Sequence, residues 1–154
     1  MRKNLKANVL DSYCYDNDTN NCAIYGRLYT WDAAMSACPT GWHLPSEAEW
    51  EQLNGSLGGY LTSGGNLKET GTIHWITPNG EATNQSGFTA LPGGIWSTYF
   101  GNQYVSIGWS AHWWSSSEDI YNRGISWLCR HPDGQSAPAS GNKIDRQSVR
   151  CVKD

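Results

Sequence analysis

The chain has 154 residues, a formal net charge of −3 and only 16% charged residues, so it carries no basic stripe to neutralise phosphates, and nucleic acid is excluded as a partner. Its length fits one domain over residues 1–154 with a core of its own, and nine Trp and eight Tyr against two Phe and two Met make that core aromatic. No run of about 18 apolar residues is present to span a membrane, and 17 Gly among many Ser, Asn and Thr imply turns and short strands rather than long helices.

Residues 1–10, MRKNLKANVL, open with basic residues as a secretory leader does. They lack its apolar stretch and cleavage site, and read as the start of a mature fragment or an isolated domain. Cys14 and Cys22 then bracket the polar turn YDNDTNN. Residues 23–31, AIYGRLYTW, alternate aromatic and aliphatic side chains and predict a strand interrupted by glycine. Asp32 follows as an N-cap, with AAMSAC as a short helix stopped by Pro39 and Gly41. Ser46 and Glu49 form a capping box for a second helix, SEAEWEQLNGSLGG. That helix places Trp50, Leu53 and Leu57 on one apolar face and ends at Gly58 and Gly59. Beyond residue 60 short aromatic runs predict strands in GFTALPGGIW, YVSIGW, HWWSSS and SVRCVKD. Residues 128–147 show almost no apolar periodicity and are expected to be irregular, and a long irregular segment in a compact domain is usually functional or disordered.

The five cysteines leave at least one unpaired within the chain. Cys14 and Cys22 are placed to close a local loop. Cys38 and Cys151, each beside an ordered element, are placed to tie the ends of the fold together, and Cys129 is left over. Disulfides would put the protein outside the cytoplasm. The alternative is reduced thiols buried as small hydrophobes. A zinc site lacks the CxxC pairs it would need, and His43, His74, His112 and His131 show no metal spacing.

The motifs GWHLPS, FTALPGG, WWSSSE and VRCVKD occur in that order, and with them nearly the whole chain resembles the Fibrobacter succinogenes major paralogous domain. The resemblance implies an α+β, C-type-lectin-like fold of the formylglycine-generating-enzyme branch, with two helices, a small antiparallel sheet and a long loop-rich C-terminal half. It also implies an extracellular or lipid-anchored protein, and Met1 falls where the family's first strand ends in a Trp-Met pair. Ala111 and Gln147 stand where family members usually have Gly and Phe, and residues 120–145 depart from the usual consensus. The lectin-like fold is a target of diversity-generating retroelements, which mutate adenines in a C-terminal variable region. Leu128, Cys129, Arg130, His131, Pro132, Asp133 and Gly134 are all reachable from Asn codons by such changes.

These readings point to a binding module rather than an enzyme, displayed on a cell surface or phage particle, with a protein or glycan as its partner. The alternatives are an undiversified surface lipoprotein module that binds polysaccharide or serves a structural role, and a copper-dependent formylglycine-generating oxidase. For the oxidase, Cys151 matches one of the two cysteines required, but Arg146 and Gln147 occupy the region of the other. No cofactor is expected; Glu118, Asp119, Asp133 and Asp145 could supply oxygen ligands to calcium, although the lectin sugar-binding tripeptides are absent. Trp31, Trp42, Trp50, Trp113 and Trp114 are assigned to the core. The ligand surface is placed at about residues 109–147, and aromatic and Arg content of the hot-spot kind marks it. Its candidate residues are Trp109, Ser110, His112, Asp119, Tyr121, Asn122, Arg123, Ser126, Leu128, Arg130, His131, Asp133, Asp145 and Gln147, with Trp127 in the same divergent region.

Overall fold

The computed structural model describes Met1 and residues 3–154. In chain order its elements are β1 (Ser12–Tyr13), a 3-10 turn (Tyr15–Asn17), α1 (Thr19–Tyr25), β2 (Leu28–Tyr29), α2 (Trp31–Ala37), β3 (Trp42–His43), α3 (Glu47–Ser56) and α4 (Ser63–Leu67). The remaining elements are all strands: β4 (Gly93–Ser97), β5 (Gln103–Ile107), β6 (Ser110–Glu118), β7 (Gly124–Arg130), β8 (Ser136–Gly141), β9 (Gln147–Ser148) and β10 (Val152–Lys153). The architecture is α+β. Six strands form the main sheet in the order β1-β2-β9-β6-β7-β8, and two small pairs, β10-β3 and β4-β5, flank it.

The capping box forms as the spacing predicts: Ser46 Oγ accepts from the Glu49 backbone N–H, and the Glu49 carboxylate accepts from the Ser46 N–H at 2.8 Å. Elsewhere the described residues depart from the sequence reading. There are four α-helices rather than two. Thr30, not Asp32, caps α2, its hydroxyl accepting from Ala33 N. Residues 23–25 of the expected strand belong to α1, because Asp18 caps a helix there by accepting from Asn20 N and leaves only Leu28–Tyr29 extended. The main sheet is not purely antiparallel, since β6 and β9 run parallel. Residues 128–147 are largely ordered, as the end of β7, all of β8 and the start of β9.

Both predicted disulfides are present, Cys14–Cys22 and Cys38–Cys151, and Cys129 is a buried free thiol. Each face of the sheet carries its own core. On one face the register pairs Trp113 with Trp127 and Ala111 with Cys129, and these pack with Trp50, Leu67, Trp75 and Ala90. Trp50 stacks on Trp127 with ring centroids 6.1 Å apart, and Phe88 meets Trp113 edge-on at 5.3 Å, the offset and T-shaped geometries that aromatic quadrupoles favour. Trp127, only 1% exposed, is thus a core residue and not part of a surface. Its Nε1–H donates to Ser136 Oγ at 3.1 Å. On the other face Trp114 joins Tyr29, Trp31, Ala34, Val149 and Cys151.

Asn4 ties the N-terminal segment to this frame. Its Oδ1 accepts from Trp113 Nε1 at 2.9 Å and from the buried Arg150 guanidinium, and its Nδ2 donates to Tyr25 O at 2.8 Å. Lys68, fully buried, donates from Nζ to three backbone carbonyls, those of Gly80, Arg130 and Asp133. One ammonium thereby fixes the loops that carry all three, and burial lowers its pKa.

Candidate functional site

Side chains alternate across a strand, so the β6–β7 ladder that sends Trp113 and Trp127 inward sends His112, Leu128 and Ser126 to the opposite face. Trp114 covers one part of that face. The rest is overhung by the β4–β5 hairpin, which is held in place where Trp96 and Arg146 exchange backbone hydrogen bonds at 3.1 and 2.9 Å. A groove of about 420 Å³ remains between them. His112, Ser126 and Gln147 form its floor, Tyr99 and Phe100 its rim on one side, and residues 139–142 the other side.

Asp145 shapes the rim. It is buried, and its Oδ1 accepts from the Thr98 N–H at 2.9 Å and the Thr98 hydroxyl at 2.8 Å, while Oδ2 accepts from Ser97 Oγ at 3.3 Å. Ser97 Oγ in turn accepts from the Tyr99 N–H. The carboxylate therefore acts as a staple on the hairpin turn, and the turn presents Tyr99, 88% exposed, against the edge of Phe100 at 5.1 Å. The backbone that carries this aromatic pair is fixed by Asp145 and Ser97, which lowers the entropic cost of using it.

On the floor, desolvation holds the His112 imidazole down at about 4, so it is neutral at physiological pH. Its Nε2 lies 2.9 Å from Ser110 Oγ. Gln147, 3% exposed, has no hydrogen-bond partner for Oε1. Ser126 has only a long contact, 3.5 Å, to Ala139 O.

The candidate residues of the 109–147 segment fall into separate groups. His112, Arg123, Ser126, Asp145 and Gln147 border the groove. Asp119, Tyr121, Asn122 and Arg123 make the β6–β7 turn. Burial alone would raise the Asp119 pKa, but the backbone N–H groups of Arg123 and Tyr121, the Arg123 guanidinium and the Ser140 hydroxyl hold the carboxyl well below the usual range. Trp109, Ser110, Arg130, His131 and Asp133 gather at the far end of the same hairpin, where Trp109 and His131 meet edge to face at 4.5 Å and Arg130 lies 3.6 Å from Asp133. Seven residues of β7 separate the two ends by roughly 20 Å. Leu128 sits on the sheet between them, half-buried.

Variation across 128–134 is constrained from beneath. Cys129 is fully buried, whereas a Cβ on Gly134 would meet only the exposed Glu81 side chain, which can swing aside. Arg130 and Pro132 are the exposed members of the run.

The acidic residues considered for calcium do not converge. Glu118 pairs with Lys143 at 2.9 Å and Asp119 with Arg123 at 2.7 Å, while Asp133 faces Arg130 and Asp145 holds the hairpin turn. Among the described residues no three His, Cys, Asp or Glu side chains group as metal ligands do.

The 97–100 turn is absent from the sequence reading, although the run TYFGN, two aromatics flanked by turn residues between two strands, is a signal that could have found it. Other clefts lie among the described residues. One of about 620 Å³ lies between the Lys3–Lys6 segment and α1, and one of about 470 Å³ lies between α3 and Arg150. Neither borders the divergent C-terminal segment.

The family model described as the Fibrobacter succinogenes major domain matches residues 2–153. No curated protein and no solved structure matches the chain.

Proposed function

Because this chain belongs to the Fibrobacter succinogenes major domain family, we propose that it is an extracellular, non-enzymatic binding module that takes its ligand in the groove beneath the Tyr99–Phe100 turn. The observation that carries this reading is the solvent-facing aromatic pair, carried on a stapled turn, above a partly polar floor built on strands. Small-ligand sites combine apolar walls with a few fixed polar groups in this way, and sites on strands hold their geometry better than sites on free loops. Two disulfides, and the absence among the described residues of any helix long and apolar enough to cross a membrane, are compatible with an extracellular setting. Calcium is not needed by this reading, since the groove's one buried carboxylate already holds the hairpin turn.

The test is a labelled protein applied to an array of glycans and peptides, beside the double variant Tyr99→Ala, Phe100→Ala. The double variant loses binding while keeping its circular dichroism and melting curve. Retention of full binding by the folded double variant would place the ligand elsewhere and end this reading. Retroelement diversification of the segment fits the same role only if it leaves the buried position 129 small and apolar. Its signature would be a template repeat and reverse transcriptase at the encoding locus, with mismatches at template adenines.

A further inference from the structure

We propose that the ligand of this groove is a neutral saccharide, held by aromatic stacking on Tyr99 and Phe100 and by hydrogen bonds to the floor; this rests on the groove being the binding site. The first argument is charge. The groove is bordered by three groups capable of bearing formal charge, and none is free. The Asp145 carboxylate accepts three hydrogen bonds from Ser97 and Thr98. The Arg123 guanidinium is engaged by Asp119 at 2.7 and 2.8 Å. The His112 imidazole is neutral, because its burial disfavours the charged form. An ionic ligand entering here would lose water without gaining a counter-charge.

The second argument is the polar inventory. The floor and far wall are lined by uncharged polar side chains: the Gln147 amide and the weakly engaged Ser126 hydroxyl, both largely buried, and the exposed side chains of Ser140, whose hydroxyl also bonds to Asp119, and Asn142. Hydroxyl groups both donate and accept, and match such a mixed set.

The third argument is shape. Two aromatic rings stand at the rim, one 88% exposed, and the groove volume of about 420 Å³ lies low in the roughly 300–1,000 Å³ range of small-ligand sites. A pyranose ring, with C–H groups on its faces and hydroxyls at its edge, satisfies both surfaces.

The experiment uses isotope-labelled intact protein titrated with neutral gluco-, manno-, galacto- and xylo-oligosaccharides and with a uronic-acid oligosaccharide, read by amide chemical shifts. The expected result is shifts at residues 97–100, 112, 126 and 139–147 with at least one neutral saccharide, and affinity for the uronic-acid probe lower by roughly tenfold. Tyr99→Ala weakens the neutral ligand by about tenfold or more, and so does Gln147→Leu. Tyr99 is exposed, so its variant keeps the test valid if the buried Gln147 variant does not fold. No shift with any neutral saccharide at about 10 mM, where millimolar affinities would be visible, overturns the saccharide. A peptide ligand from the array that Tyr99→Ala abolishes would overturn the saccharide and leave the groove intact. A saccharide that shifts residues outside the groove would overturn both.

Discussion

The two disulfides enclose loops of very different length, 113 and 8 residues in sequence separation, and the loops do not overlap, so their contributions to stability separate cleanly. In the chain-entropy treatment, closing the longer loop removes denatured-state freedom worth about 4.8 kcal/mol at 25 °C and closing the shorter one about 2.5 kcal/mol. Replacing Cys38 and Cys151 by Ala should therefore cost about 2 kcal/mol more than replacing Cys14 and Cys22. Cys151 is fully buried beside Ala34, Val149 and Trp114, so loss of its sulfur adds to that difference. For a domain of this size the longer bridge corresponds to a fall in Tm of about 10–20 °C and the shorter to about 5–10 °C. The assay is guanidinium unfolding of the two double variants, followed by tryptophan fluorescence and fitted with a common slope. Equal losses, or a larger loss from the local bridge, would refute the loop-length reasoning and assign the stabilisation to strain or to residual structure in the denatured chain.

Three further outcomes follow from buried groups. His112 is held at about 4, below the 6.5 of a free imidazole, so the unfolded chain binds more protons between those values. Stability from this residue is present above about pH 6.5 and falls by about 3 kcal/mol on going down to pH 4, and His112→Gln should flatten that part of a pH–stability profile. Lys68→Met strands the carbonyls of Gly80, Arg130 and Asp133 at a cost on the order of 3 kcal/mol, and amide exchange should rise first at residues 79–82 and 130–135; unchanged exchange there would deny Lys68 its tethering role. The Cys129 thiol, pushed up to about 12 by burial, should resist iodoacetamide at pH 8 in the native protein and react once unfolded; rapid native labelling would contradict its placement against Trp127 and Ala111.

Local rules carried much of the fold. Ser46 and Glu49 announced α3, and the placing of the cysteines announced both bridges, since a short polar loop and two ordered flanks each suit one pairing. Where composition and structure part, the cause is physical. AIYGRLY has a strand's composition, but Asp18 caps a helix into it and the Cys14–Cys22 bridge spans its first turn. The segment SAPASG makes β8 although its side chains are too small to show hydrophobic alternation. It lies at the sheet's edge, where Pro138 is tolerated. Trp127 lies among irregular neighbours in the sequence, and nothing local marks it as core, because its partner Trp113 lies across a ladder, not along the chain. The groove is half legible in the sequence: His112, Ser126 and Gln147 fall in the divergent segment, but the 97–100 rim reaches them through the Trp96–Arg146 pairing and the Asp145 hydrogen bonds, tertiary contacts that no local pattern reports.

The Cys38–Cys151 bridge also sets the mechanical path through the molecule. Tension applied between the segment before residue 38 and the segment after residue 151 crosses directly from one sulfur to the other. Residues 39–150, which include every side chain lining the groove, lie in a covalent loop outside that load path. A pull transmitted along the backbone would therefore peel neither the hairpin turn from Asp145 nor β7 from β8. A single proteolytic cut within the loop would likewise leave the two pieces joined.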